Sequence, residues 1–146
     1  MNWLLMAFVL ACEVTIGNYR FRQVNNVRIE KTWRELGNKA TILLPRHVIT
    51  SDLQTKTLED FIKVGDKVSV KLRYVGLAER EEFSGYVRRV KPNIPFELEC
   101  EDEIYLLRKV NLKKNWKGTT LKEIVAYIIS ETKSKYPDFQ VTSSGK

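Results

Sequence analysis

Residues 62–102 read IKVGDKVSVKLRYVGLAEREEFSGYVRRVKPNIPFELECED and carry the densest structural signal in the chain. From Lys67 to Tyr74, apolar side chains alternate with charged or polar ones, which is typical of a β-strand with one buried face. The alternation returns in residues 94–101, and a shorter run surrounds Gly85. These three runs, separated by turn residues, predict an antiparallel β-meander.

The middle run contains an interruption that predicts a local irregularity. Arg88 and Arg89 are adjacent, so Val90 falls on the face opposite Val87. A β-bulge near Arg88 would account for the slip, because a bulge inserts one extra residue into a strand. The outer face of the first run is basic and that of the third is acidic, so cross-strand pairing between these two strands would be favourable. The inner faces predict a shared core of Val68, Val70, Leu72, Phe96 and Leu98.

Composition limits the classes of protein to consider. The chain has 146 residues, a formal net charge of +7 and 43% hydrophobic residues. This length suits one average domain with the start of a second, and the hydrophobic fraction argues against disorder. Basic proteins often meet nucleic acid, membranes or acidic partners. The cations are spread along the chain, however, so we favour solvated surface over nucleic-acid binding.

Few residues in the chain are suited to catalysis or metal binding. Cys12 and Cys100 both face inward if the strand alternation holds, and we expect them to be reduced and buried. There is no CxxC pair, and His47 is the only histidine, so a zinc site is not expected. No glycine-rich phosphate loop, Ser/His/Asp set or paired-carboxylate motif occurs. The sequence therefore predicts no catalytic, cofactor-binding or metal-binding residue, and no cofactor.

The N-terminal residues 3–12, WLLMAFVLAC, allow two interpretations. A secretory or lipoprotein signal would need basic residues before the apolar run, and only Asn2 stands between Met1 and Trp3. Residues 10–16 alternate like a strand, so a buried first strand is favoured over a lipoprotein anchored through Cys12. No stretch reaches the ~20 apolar residues of a membrane span, and no membrane association is expected.

The remaining N-terminal pattern adds strands to the meander. Alternation around Val27 and Ile29, and again from Ala40 to Leu44, indicates two strands, and Leu58 with Ile62 suggests a helical turn. Five or six strands before residue 101 are enough to close a small sheet. We therefore predict a mainly β (α+β) fold, a small antiparallel β-barrel or split barrel followed by a C-terminal helix.

After the meander, the hydrophobic period changes from that of a strand to that of a helix. Asp102 is predicted to cap a short helix, and Thr120 with Glu123 matches a capping box that opens an amphipathic helix stopped by Pro137. The predicted apolar stripe of this helix is Leu121, Ile124, Val125, Ile128 and Ile129. The predicted organisation is a β-barrel domain in residues 1–101, a short helix and basic connector in residues 102–118, and the start of a second domain in residues 119–146.

The basic connector RKVNLKKNWK, residues 108–117, surrounds one tryptophan with cations. It could form a stacking and phosphate-binding patch, or a solvated linker whose tryptophan packs on the following helix, and we favour the linker. The candidate interaction surface predicted from the whole sequence consists of Arg88, Arg89, Lys113, Lys114 and Trp116.

Three short motifs in the meander carry a family resemblance. They are Val64-Gly65-Asp66-Lys67-Val68, Phe83-Ser84-Gly85-Tyr86-Val87 and Leu98-Glu99-Cys100-Glu101-Asp102. The resemblance also includes three earlier segments, Val27-Arg28-Ile29, Trp33 and Ala40-Thr41-Ile42-Leu43-Leu44-Pro45. In this order they resemble the first part of phage tail and baseplate hub proteins, the late control protein D family, which is related to the spike proteins of type VI secretion. Members of this group resemble one another in a G-D-x-V turn, an F-x-G-x-V strand and an acidic C-x-D. Residues 119–124, TTLKEI, resemble the start of the family's next segment, which implies that the family's second barrel is missing here.

The resemblance implies a non-enzymatic structural protein of a phage or prophage tail, part of the baseplate hub ring that joins the tail tube to the central spike. Its implied partners are tube and spike proteins and further copies of itself, as a trimer. Its implied location is the virion tail, and the bacterial cytoplasm during prophage assembly. Nucleic acid is not an expected partner.

A second interpretation comes from a different class of protein. A small basic β-barrel could bind single-stranded nucleic acid through an exposed face, carrying Tyr74, Tyr86, Arg88 and Arg89. The alternation argues against this interpretation, since it places Tyr74 on the same face as the buried Val70.

Overall fold

The structure is a computed structural model and describes residues 10–49, 54–74 and 76–141. The described residues form two compact units, one extending to Asp102 and the other beginning at Glu103. The strands of the first unit are β1 (Leu10–Ile16), β2 (Tyr19–Phe21), β3 (Asn26–Glu30), β4 (Lys39–Leu44), β5 (His47–Ile49), β6 (Thr55–Thr57), β7 (Lys67–Tyr74), β8 (Arg80–Lys91) and β9 (Phe96–Glu101). A single 3-10 turn, Leu58–Asp60, lies between β6 and β7.

Seven of the described strands form one antiparallel sheet in the order β2-β1-β7-β8-β9-β4-β3, and β5 pairs with β6 in a separate hairpin. The long strand β8 joins the two parts of the sheet, because its first half pairs with β7 and its second half with β9. The register between β8 and β9 shifts between Val87 and Arg89. This shift confirms the bulge that the sequence predicts near Arg88.

The sheet curls but does not close. Lys31, just after β3, approaches Glu82 of β8 with Nζ to Oε2 at 3.4 Å, so one edge bends towards the middle of the sheet. Within the described residues, β2 and β3 are each paired on one side only. The mainly β class and the C-terminal helix are confirmed, whereas the closed barrel is wrong. Side chains of β1, β3 and β7 face one another across a groove where a closed barrel would have ladder hydrogen bonds.

The core lies on the inner face of the curled sheet. Val68, Val70, Phe96 and Leu98 have no exposed surface, as the alternation predicts. Leu72 is only half-buried, because it lines the groove at the unclosed side of the sheet. The other buried apolar residues packed with them are Val14, Ile16, Phe21, Ala40, Ile42, Leu44, Leu58, Ile62, Phe83, Val87 and Cys100.

Two tyrosines lie opposite to expectation. Tyr74 is 46% exposed, because the pairing of β8 with β7 ends at Leu72 and leaves the last residues of β7 uncovered on that side. Tyr86 is buried, because it lies where β8 is flanked by both Lys67 of β7 and Glu101 of β9. The argument from Tyr74 against a nucleic-acid module is therefore wrong, and so is the placing of Tyr86 on an exposed face.

The pairing of the basic strand with the acidic strand, which their charges would favour, is not formed. The basic strand β7 and the acidic strand β9 are not neighbours, because β8 lies between them. Glu97 and Glu99 of β9 instead form ion pairs with Lys91 of β8. Lys91 Nζ lies 3.0 Å from an oxygen of Glu97 and 2.5 Å from an oxygen of Glu99.

In the second unit the helices are α1 (Ile104–Arg108) and α2 (Leu121–Lys135). Asp102 does not cap α1, whose N-cap is Glu103. The Asp102 carboxylate instead accepts a hydrogen bond from the backbone N–H of Asn38, at 2.6 Å, and so fastens the end of β9 to the chain before β4. The capping box of Thr120 and Glu123 at the start of α2 is confirmed. Neither described helix has the length and hydropathy needed to cross a membrane.

Candidate interaction surfaces

The residues of the first family motif form a turn that is fastened to the bulge of β8. Gly65 has a φ of +97°, a conformation that favours glycine. Its N–H donates to the Val87 carbonyl at 2.8 Å, and the Val87 N–H donates to the Asp66 carbonyl at 2.9 Å. The Asp66 carboxylate accepts from the Lys63 N–H at 2.9 Å, which closes the turn. The G-D-x-V motif is thus a local device that holds β7 against β8.

The glycine of the second motif is required by a close approach of two backbones. A Cβ added at Gly85 would lie 2.2 Å from the carbonyl oxygen of Glu101, well inside van der Waals contact. The side chain of Asp102, the aspartate of the third motif, holds the backbone of Asn38. The three motifs therefore meet around the middle of β8, and each of them has an architectural role.

The predicted arginine pair lies on an exposed side of this region. Arg88 and Arg89 are both exposed at the bulge, and Arg89 Nε lies 3.8 Å from the Glu99 carboxylate. The hydrogen bonds that Lys91 donates to Glu99 and then to Glu97 raise the pKa of Lys91 above its ordinary value. The bond from Lys91 is also the main reason that the pKa of Glu99 is lowered. Cations and carboxylates alternate along this surface, which weakens its attraction for phosphate groups.

The predicted connector residues belong to the second unit, where the tryptophan has a packing partner. The rings of Trp116 and Tyr127 of α2 meet edge to face, with centroids 5.2 Å apart. Lys114 Nζ lies 4.4 Å from the Trp116 centroid and 4.5 Å from the Tyr127 centroid, in range for cation–π attraction to both. Lys113 is exposed. This is the packing that the linker interpretation predicts, and Lys114 takes up ring surface on which a base would stack.

A cleft in the first unit lies between β2 and the β5–β6 hairpin, and the sequence analysis missed it. Its volume is about 1050 Å³, and its lining includes Arg20, Arg22 and Lys56 together with the rings of Tyr19 and Phe61. The two rings lie with centroids 4.5 Å apart. Among the described residues that line this cleft, none is acidic. The alternation of aromatic and basic residues in Tyr19-Arg20-Phe21-Arg22 was the available signal.

A second, smaller cavity of about 540 Å³ is the groove at the unclosed side of the sheet. Its apolar lining is Cys12, Val24, Val27, Ile29 and Leu72, with the Lys31–Glu82 ion pair at the rim. Cys12 is half-buried, not fully buried as expected, and both cysteines are free thiols. Burial raises the pKa of Cys12, and it raises the pKa of Cys100 to about 12. Both thiols are protonated at neutral pH and are weak nucleophiles.

Within residues 10–49, 54–74 and 76–141, no three His, Cys, Asp or Glu side chains lie close enough together to hold a metal ion. Neither a protein-family model nor a curated protein sequence matches the chain.

Proposed function

We propose that this chain is a non-enzymatic structural component of a phage or prophage tail, part of the hub ring that joins the tail tube to the central spike. The observation that carries the proposal is the meeting of the three family motifs around β8. Gly65 bonds the backbone of β8, and Gly85 of β8 makes room for the backbone of Glu101 and Asp102 in the third motif. The Asp102 carboxylate in turn holds the backbone before β4. The three motifs lie close together in the structure because they build the same part of the sheet. This supports kinship with a family whose members share the same three motifs.

Surfaces suited to assembly lend further support. Within the described sheet, β2 and β3 each have an edge without a paired strand, and edges of this kind can pair with another chain. In the second unit, α2 exposes Leu121 and Val125 from its apolar stripe. A subunit of a ring between tube and spike must present such surfaces to copies of itself and to other tail proteins.

Deletion of the gene in the bacterium that encodes the chain tests this proposal. After prophage induction we expect filled heads but no complete tails, because tube and spike lack the ring that joins them. Complementation with Ser84→Ala should restore tails, since Ser84 is exposed. Complementation with Gly85→Val should not, because a side chain at Gly85 clashes with β9. Electron microscopy and mass spectrometry of purified tails give the readout, and normal infectious tails in the deletion strain would reject the proposal.

One observation favours the nucleic-acid alternative, namely that the Tyr74 side chain is 46% exposed. Fluorescence anisotropy with a labelled single-stranded oligonucleotide at two salt concentrations separates the two functions. A tail component should bind weakly, and Arg88→Ala/Arg89→Ala should change that binding less than about twofold. Tight binding that falls steeply with salt and is lost in the double variant would favour the nucleic-acid module instead.

A further inference from the structure

We propose that the cleft between β2 and the β5–β6 hairpin binds an extended, acidic segment of a partner protein. The inference stands on the geometry of the first unit and holds whether or not the chain belongs to a phage tail. It concerns a surface separate from the predicted residues Arg88 and Arg89, which do not line this cleft.

The positive charge of the cleft indicates that the partner segment is acidic. Arg20 and Arg22 both project from the region of β2 and share a single carboxylate, that of Glu13, at 3.3 and 3.5 Å. Two guanidinium groups on one carboxylate leave one positive charge uncompensated in this group. No described residue that lines the cleft is acidic. A ligand with carboxylates is therefore attracted, and the arginine forks suit carboxylate geometry.

The backbone of β2 beside the cleft indicates that the partner segment is extended. Five successive residues, 19–23, line the cleft, although their side chains point alternately to the two faces of a strand. The strand therefore meets the cleft along its edge, and in the described sheet β2 is paired on its other edge only, by β1. A free strand edge offers backbone donors and acceptors to an extended peptide, which is the mode of β-strand addition.

The apolar lining favours a peptide over a nucleic acid. Ile49 of β5 is 75% exposed beside the cleft, and Val48 and Pro45 contribute further aliphatic surface. Aliphatic side chains of this kind pack well against the apolar residues of a peptide. The ring most available for base stacking, Tyr19, already packs against Phe61 with an interplanar angle of 46°. We therefore expect acidic residues interspersed with apolar ones in the bound segment.

The experiment uses the whole chain and three fluorescein-labelled probes. The first is a ten-residue peptide in which glutamate alternates with valine and threonine, the second has lysine in place of glutamate, and the third is single-stranded oligo-dT. Anisotropy titrations should show saturable binding of the glutamate peptide and at least about tenfold weaker binding of the other two probes.

Variants locate the binding site. Arg20→Ala/Arg22→Ala should weaken binding of the glutamate peptide about tenfold, whereas Lys122→Ala/Lys133→Ala, which removes the same charge from α2, should change it less than about twofold. Ile49→Glu should weaken binding and Ile49→Lys should strengthen it, and since Ile49 is exposed neither change should prevent folding. Ile49 therefore tests the cleft even if the arginine variant does not fold.

Three results would overturn the inference. They are equal loss of binding in the α2 control variant, the same response to Ile49→Glu and Ile49→Lys, and a preference for oligo-dT over the glutamate peptide. None of them bears on whether tails form in the deletion strain, so the cleft and the proposed function fail independently.

Discussion

The inner face of the sheet and the apolar stripe of α2 begin as the same kind of sequence signal and end in different environments. Val70 and Phe96, predicted from a period of two, have no exposed surface. Leu121 and Val125, predicted from a helical period, are 76% and 45% exposed. Periodicity indicates which side of an element is apolar, but burial depends on whether another element covers that side. The curled sheet covers its own inner face, whereas α2 leaves Leu121 and Val125 exposed and its three isoleucines only half-buried.

An aspartate placed in each of the two regions should show the largest difference in stability. Val70→Asp should destabilise the first unit by more than about 4 kcal/mol, because it buries a carboxylate without a partner. Leu121→Asp should cost less than about 0.5 kcal/mol, since that side chain is already in water. Urea denaturation monitored by circular dichroism measures both. Similar losses for the two variants would mean that the α2 stripe is covered in solution.

Truncation of apolar side chains should show the same contrast at smaller size. Phe96→Ala should lower the free energy of unfolding by about 3–5 kcal/mol, because it leaves a cavity in the core. Val125→Ala should change it by less than about 0.5 kcal/mol. A melting curve unaffected by Phe96→Ala would show that the inner and outer faces of β9 are assigned the wrong way round.

Gly85, which has no side chain, lies against the backbone of Glu101. Gly85→Ala should cost about 1–3 kcal/mol through overpacking against the carbonyl of Glu101. The φ of Gly85 is not in the left-handed region, so the cost is steric rather than conformational. Ser84→Ala, one residue away and exposed, is the control and should be close to neutral. Chemical denaturation of the two variants side by side gives the difference, and a neutral Gly85→Ala would contradict the close approach.

The smallest expected effect concerns the start of α2. Hydrogen bonds from the Thr119 hydroxyl, and then from Thr120, lower the pKa of Glu123 below its ordinary value of 4.5. A lowered pKa in the folded state means that the contribution to helix stability is present above pH 4.5 and is lost as the pH falls through the lowered pKa. Thr119→Val should move the pKa of Glu123 back towards its ordinary value, whereas Ser130→Ala should not. A carbon-detected NMR titration of the glutamate carboxyls measures the shift, and an unchanged pKa in Thr119→Val would contradict this assignment.

Much of the fold follows from local pattern. The alternation in β7 and β9, the slip at Arg88 and the capping box at Thr120 depend on residues close together in sequence, and all three predictions are confirmed. Short strands were missed, because the three residues of β2 and of β5 are too few to show a period. The hydrogen bond from the Asn38 N–H to the Asp102 carboxylate was also missed, because the two residues lie far apart in sequence and no local rule links them.

The candidate surfaces were less accessible to sequence analysis than the fold. Runs of cations in the sequence drew attention to Arg88, Arg89 and the connector, but the charge around a residue in the folded chain depends on neighbours from other strands. Glu97 and Glu99 neutralise much of the surface beside Arg89, and they come from a different strand. The cleft beside β2 combines residues from β2, β5 and β6 with Phe61, which follows the 3-10 turn, so no single stretch displays it.

The pairing of β8 with both β7 and β9 has a consequence for how the protein is made. Val14 of β1 pairs with Val70, and Ile42 of β4 pairs with Leu98, so two of the early strands find their neighbours in the meander that follows. While the chain leaves the ribosome, the apolar faces of these strands remain without their native cover until β9 has been synthesised. The nascent chain should therefore depend on holding chaperones over this interval, and a pause in translation before β9 should favour aggregation.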